Sequence, residues 1–338
     1  MKLVMTLLVR DEADIVDAQI AFHLHAGVDY VIATDNRSED GTTEILERYE
    51  RAGVLLLIRE PGDDMRQREW VTRMARMAAT DLGADWIINA DADEFWWPRG
   101  GTLKDVLTLI PERFGVVRGC WRHFLPRTEG DSNFAERMTV RLCTPAFPGD
   151  KSTIYHAHQK VAHRADPEVE VASGNHDAAG RGLEPLRGWH PIEVLHFSLR
   201  SAAQIAQKAR GGWKRNPAIT HEEHQLRLER ATQSGGAAAF LGAHDPSDEQ
   251  LDRGLADGTL ALDTRLRDAL RVLRSPDGTY GIPDPSPLLT FDAPDVSDAA
   301  AYAAEASTLV GIDGIVRAEQ RVAALEARLA GVRTLPRR

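Results

Sequence analysis

At 338 residues, 43% of them apolar and 27% charged, the chain is long enough for one large domain with an appendage and carries the apolar content of a packed core. Its formal charge of -10 sets aside nucleic acid or an anionic membrane held by bulk electrostatics, although a local basic pocket stays open. Cys120 and Cys143 are the only cysteines and form no CxxC pair, a pattern that fits a reducing cytoplasm rather than a disulfide framework or a zinc knuckle.

The run KLVMTLLV (2–9) is continuously apolar, reads as a buried strand and is broken at once by Arg10-Asp11-Glu12. It is too short for a signal-peptide core or a membrane span. ADIVDAQIAFHLHAG then has helical spacing, with Ile15, Ala18, Phe22 and Ala26 on one face and Gly27 as its stop. VDYVIAT is a second strand, TTEILERYERAG a second helix and VLLLI a third strand. RQREWVTRMARMAATDLG is a third helix, and DWIIN a fourth strand. Alternation at this spacing implies βαβ units and a parallel sheet covered on both faces, where ligands bind beyond the carboxyl ends of the strands. Arg10 to Glu12, Asp35 to Gly41 and Asp91 to Glu94 fall at such ends and are expected to converge on one crevice.

After residue 100 the pattern shifts to shorter strands: GVVRGCWRHF, MTVRLC, KSTIYHAH, PEVEVAS and IEVLHFS, the last running into a helix, SAAQIAQKARGG. These residues, 1–215, form the expected main domain. A helical appendage follows at 216–274, a proline-rich linker at 275–296 and a C-terminal helix at 297–338. In that helix Ile315, Val322 and Leu329 alternate with Ala318, Leu325 and Val332 in a/d positions for about two and a half heptads. Packing on its own domain and pairing with a second copy in a homodimer are both open readings.

The stretch INADADEFWW places three acids within four positions after an apolar strand. Carboxylates that close repel one another unless a cation sits among them. Mg²⁺ or Mn²⁺ takes such oxygens and completes its shell with substrate phosphates; a solvated turn is the plainer alternative. In TDNRSEDGTTEIL, Asp35 and Asn36 close a strand, Gly41 permits a turn and Thr42-Thr43 opens a helix. Asp35 could hold a base edge or a ribose hydroxyl, or the loop could be only a capped βα turn. Arg66 and Arg68 at a helix start suit phosphate oxygens.

In order and spacing VRDEADI, ATDNRSEDGTTEIL and DWIINADADEFWW resemble the family 2-like nucleotide-sugar glycosyltransferases of the GT-A fold, in the branch where DxDEF replaces a plain DxD. The resemblance covers about residues 1 to 215, is specific through residue 97 and loosens afterwards. It implies an α/β fold of the GT-A type: a Rossmann-like, mostly parallel central sheet with helices on both faces, here with a helical C-terminal extension. It implies nucleoside-binding roles for Glu12 and Asp35, a ribose-proximal and metal-binding role for Asp91, and a metal-ligand role for Asp93, with Glu94 and Phe95 completing the signature. LHFSLRSAAQIAQKARGG resembles the branch's HYxxKSxxxFxxKxxRG ending, with Phe197 for Tyr and Arg200 for Lys. By that match His196 completes the shell of Mn²⁺ or Mg²⁺, and Arg200, Lys208 and Arg210 hold the diphosphate. KSTIYHAH resembles the KSI stretch before it, adding Lys151 on the phosphate side. His176 is the competing histidine.

The activity implied is transfer from a nucleotide-diphosphate sugar, a UDP-sugar by resemblance, to an acceptor hydroxyl in the cytoplasm. Such enzymes mostly invert and need a carboxylate base. The usual Glu-Asp or Thr-Glu-Asp motif is not evident. Glu136, Asp131, Asp177 and Glu94 are the candidates, each equally able to cap a turn or pair with an arginine. Trp96, Trp97 and Trp121 read either as an acceptor platform or as core. The rivals are a nucleotidyltransferase, which would show a Gly-rich basic signature that VRDEADI lacks, and a decayed scaffold, against which Asp91, Asp93 and His196 stand intact.

Overall fold

Seven consecutive buried residues, Leu3–Val9, form β1 in an eight-stranded sheet. The computed structural model describes residues 1–62, 66–128, 133–144, 154–210, 236–282, 289–291 and 299–333. Beside β1 run β2 (Tyr30–Asp35) and β4 (Trp86–Asp91), both parallel to it, and β3 (Leu55–Arg59) lies parallel beyond β2. Past β4 the order continues β8 (Gln159–Arg164), β6 (Val116–His123), β11 (Ile192–His196) and β5 (Glu94–Pro98). Here the sheet becomes mixed: β8 is antiparallel to both neighbours, and β11 is parallel to β6 but antiparallel to β5. Two short pairs lie outside it, β7 (Val140–Leu142) with β12 (Leu260–Leu262), and β9 (Glu170–Val171) with β10 (Ala178–Ala179).

Alternation along β1 decides what covers each face. Leu3, Met5, Leu7 and Val9 join a core with Phe22 and Leu24 of α1 (Val16–His25), Leu46 and Tyr49 of α2 (Thr42–Arg51) and Leu103 of α4 (Leu103–Thr108). Val4 and Leu8 point the other way, onto Trp70, Val71 and Met74 of α3 (Gln67–Thr80). The α/β architecture with helices on both faces is therefore present as expected. α1 departs from the one-faced pattern: nearly every residue from Val16 to His25 is buried. The cause is a second cover. Leu266, Leu270 and Leu273 of α8 (Arg265–Leu273), with Tyr280 and Phe291, pack into the same core. Phe22 meets the rings of Phe95, Trp97 and Phe291, and its burial contributes roughly 1.5–3 kcal/mol.

Two expectations need correction and one strand is new. The described part of KSTIYHAH, residues 154–158, is not a strand; the strand is β8, beginning at Gln159. PEVEVAS shortens to the two residues of β9. EFWWP, which periodicity left unassigned, is β5, an edge strand antiparallel to β11. The remaining helices are α5 (Phe134–Arg137), α6 (Ala202–Arg210), α7 (Asp248–Asp257) and α9 (Ala299–Arg333), with residues 236–244 also helical. No helix among the described residues is long and apolar enough to cross a membrane.

Candidate active site

Strand register brings the acids together. Leu8 pairs with Asp91 and Val9 with Asp35, so β1, β2 and β4 end at one level. Asp91 closes β4, Ala92-Asp93 makes the turn and Glu94 opens β5, which fans three carboxylates around one corner. His196, the last residue of β11, lies opposite Glu94 on one side and His123 on the other. The amide of Phe197 donates to the carbonyl of Asp93 at 2.9 Å, locking the corner to the end of β11. Three non-glycine residues around the site, Asp11 (φ 56°), Arg37 (φ 59°) and Asn175 (φ 60°), hold left-handed backbone conformations that side chains rarely adopt. Gly41 has φ 102° at the start of α2, the freedom expected of it.

Each acid has a cation. Lys160, 1% exposed, is ion-paired to Asp91 and sits 3.0 Å from Oε1 of Glu94. Asn175 donates to Oδ1 of Asp91 at 3.1 Å. Arg200, also 1% exposed, is paired to Glu12 and forks onto Asp14 at 2.8 and 2.9 Å. Lys208 bridges Glu12 at 3.1 Å and Asp93 at 3.2 Å. Burial alone would lower the pKa of Lys160 and Arg200, but the facing acids outweigh it and hold both charged. For Asp93 burial opposes ionisation, and Lys208 and Arg200 still keep its carboxyl well below the usual range. Glu94 goes the other way: burial, with Asp91 and Asp93 nearby, pushes it up to about 8 against the pull of Lys160. Burial likewise raises Glu12. Among the described residues five carboxylates thus meet three cations in one cluster, buried at Glu12, Asp93, Glu94, Lys160 and Arg200 and open to solvent at Asp14, so that carboxylates outnumber cations.

Among the described residues no three acid, histidine or cysteine side chains converge as a closed metal cage. A site that expects substrate phosphates to finish the shell needs fewer protein ligands. Nε2 of His196 stands 3.8 Å from Oδ1 of Asp93, and burial lowers its pKa well below the usual value, so the ring is neutral as a ligand must be. A neutral imidazole facing an ionised carboxylate fits Mn²⁺ or Mg²⁺ between Asp93 and His196. Asp91 is turned from that gap toward Lys160 and Asn175.

The other candidates are placed as follows. Asp35 is spent inside its own loop, accepting from Ser38 and from Thr43 Oγ1 at 2.5 Å. Asn36 is fully buried; Nδ2 donates to the Gly62 carbonyl at 2.7 Å, while Oδ1 has no partner among the described residues. Arg66 and Arg68 are exposed on α3, beside Glu69 and Glu170 respectively. Glu136 is held by both arms of Arg271. Asp177, half-exposed, lies 3.9 Å from Arg118. Glu94 is fully buried, accepting from Trp121 Nε1 at 2.7 Å and from the Asp91 amide at 3.1 Å. His176 bonds the Gln159 carbonyl and stacks on His158 at 3.4 Å. Trp96 is core, Trp97 packs on Phe291, and Trp121 stacks on His196 at 4.2 Å. Lys151, Asp131 and the side chain of Arg210 lie outside the described residues. Sequence reading missed Lys160, Asn175, Asp14 and His123. A lysine within a strand and an asparagine in SGNHD carry no local mark of a partner 69 and 84 positions away, respectively.

Comparison with known proteins gives distant resemblances. No family model matches the chain. A curated relative, the Arabidopsis thaliana protein "Glycosyltransferase-like At3g57200", is 26% identical over 222 residues, 60% of this chain and 41% of the relative, so the chain spans well under half of that protein's length. Among solved structures, S. aureus TarS 1–349 in complex with UDP-GlcNAc is similar at 12% identity, covering 70% of this chain and 74% of that one, with a TM-score of 0.34. Mycobacterium tuberculosis glucosyl-3-phosphoglycerate synthase, in complex with Mn²⁺, UDP and phosphoglyceric acid, is 18% identical over 37% of this chain and 43% of that one, with a TM-score of 0.25.

Proposed function

We propose that this chain is a metal-dependent glycosyltransferase that moves a sugar from a nucleotide-diphosphate donor, a UDP-sugar, to an acceptor hydroxyl. The observation that carries the reading is the neutral Nε2 of His196 facing the ionised Asp93 inside a cluster whose carboxylates outnumber its cations. Similarity to a glycosyltransferase-like protein is in keeping with it, and the uridine carrier rests on the motif resemblance. Mn²⁺ or Mg²⁺, held by Asp93 and His196, would supply positive charge to the departing diphosphate. Arg200 is locked by Glu12 and Asp14 and sets the local potential; Lys208, 35% exposed, is the cation able to swing onto phosphate oxygens. Lys160 and Asn175 hold Asp91 in place for a ribose hydroxyl. For the carboxylate base of an inverting transfer, Glu94 and Glu136 have both oxygens engaged. Among the described candidates Asp177, half-exposed and two residues from Asn175, is the acid retained.

The test is calorimetric titration of UDP and GDP with and without Mn²⁺, repeated on Asp93→Ala. UDP binding that needs both the metal and Asp93 is expected. Nucleotide binding indifferent to both would remove the reading.

A further inference from the structure

We infer that His123 is a positioning residue that fixes the tautomer of His196, so that Nε2 presents its lone pair to the cation bound at Asp93. The inference rests on the metal reading above. It starts from an atom that can only accept: the carbonyl of His156 lies 2.7 Å from Nε2 of His123, so that nitrogen carries a proton. His123 is 2% exposed and among the described residues no carboxylate bonds its ring, so a second proton would leave a buried charge uncompensated. Its Nδ1 is therefore an acceptor. The group on it is Nδ1 of His196, 3.1 Å away, which must donate. A neutral His196 that donates from Nδ1 has a bare Nε2. That atom and Oδ1 of Asp93 are two acceptors facing each other at 3.8 Å, beyond hydrogen-bond length. Such a pair is relieved by a cation, or by a donor such as water, shared between them.

The sheet builds this relay. His123 and His196 are register partners on adjacent parallel strands. Gly119, earlier on β6, lets the strands' side chains close up: a Cβ there would sit 2.6 Å from Cγ2 of Val194. Trp121 stacks on His196 at 15° and 4.2 Å, restricting rotation of the ring. A histidine that ligates a metal usually donates its other N–H to a fixed acceptor, and loss of that acceptor weakens metal binding. Here the acceptor is another imidazole, itself oriented by a backbone carbonyl.

Two measurements test this. Long-range ¹H–¹⁵N NMR of the metal-free protein should show His196 protonated at Nδ1 and bare at Nε2. Mn²⁺ titration in the presence of UDP, followed by electron paramagnetic resonance, should show affinity falling on the order of 10–100-fold in His123→Phe. His123→Asn, whose amide oxygen falls near the Nδ1 position, should recover most of that loss. A His196 found in the Nε2–H tautomer overturns the inference, as does a folded His123→Phe that binds Mn²⁺ like wild type. If His123→Phe does not fold, the wild-type tautomer and the Asn variant decide. Mn²⁺ binding unchanged by Asp93→Ala would instead overturn the metal reading itself, whatever tautomer the NMR shows.

Discussion

Lys208 differs from its two partner cations in exposure, 35% against 1% for Lys160 and 1% for Arg200. Its ammonium sits 3.2 Å from Asp93, on the carboxylate a metal would use. Metal and Lys208 therefore compete for Asp93 when nucleotide is absent and divide the labour once a diphosphate supplies Lys208 with a new partner. In Lys208→Met, Mn²⁺ alone should bind several-fold tighter while UDP with Mn²⁺ binds several-fold weaker, both read by calorimetry. Equal weakening of the two would mean that Lys208 only holds the cluster together. At this scale the DxDEF corner, His196, Arg200 and Lys208 were legible because each stands in a local pattern. Lys160 was not. Its position follows from the antiparallel placement of β8 beside β4, a pairing with no signature in either segment.

The C-terminal helix illustrates what an element's pattern leaves undecided. The structure shows the proximal part of α9 packed on its own domain, one of the two sequence readings. Leu309, Ile312 and Val316 pack on Cys120 and Ala157, and Asp313 pairs with Arg317 and lies 3.9 Å from His190. Farther along, Val322, Leu325 and Leu329 are exposed at 53%, 57% and 63%, spaced three and four residues apart on one stripe. We propose that this distal stripe pairs with a second copy, the opposite charges of Arg321 and Glu326 flanking it. So short a coil gives a weak dimer. Sedimentation of the wild type at rising concentration should show dimer, and Leu325→Glu should stay monomeric with unchanged thermal stability. A wild type monomeric throughout would end the proposal.

Buried imidazoles set the acid limit of the whole molecule. His23 donates from Nδ1 to the Gln19 carbonyl at 2.8 Å and accepts the Trp96 amide at Nε2, 3.1 Å, so it is satisfied only when neutral. Burial lowers its pKa from 6.5 to about 4, and burial does the same to His163. A histidine depressed on folding contributes stability that is complete above pH 6.5 and lost as pH falls from there toward 4. At pH 4 each such ring costs about 3 kcal/mol. The melting temperature should thus fall across pH 6.5 to 4, before most carboxylates titrate, and unfolding near pH 5 should take up close to one proton per buried ring. A melting temperature flat to pH 4.5 would contradict this.

The order of strands and helices through residue 91 was determined by the sequence itself, because buried parallel strands and amphipathic helices each write their period into neighbouring residues. The same locality made the three polar strand ends recognisable as one crevice. Tertiary structure alone decided the rest. It placed β5 and β8, whose mixed composition makes sense only beside β11, β4 and β6. It buried α1 on every side by bringing α8 across it. It also gave each carboxylate its cation and His196 its tautomer. These depend on register between segments scores of residues apart, and a hydrogen bond between two such segments leaves no periodic trace in either one.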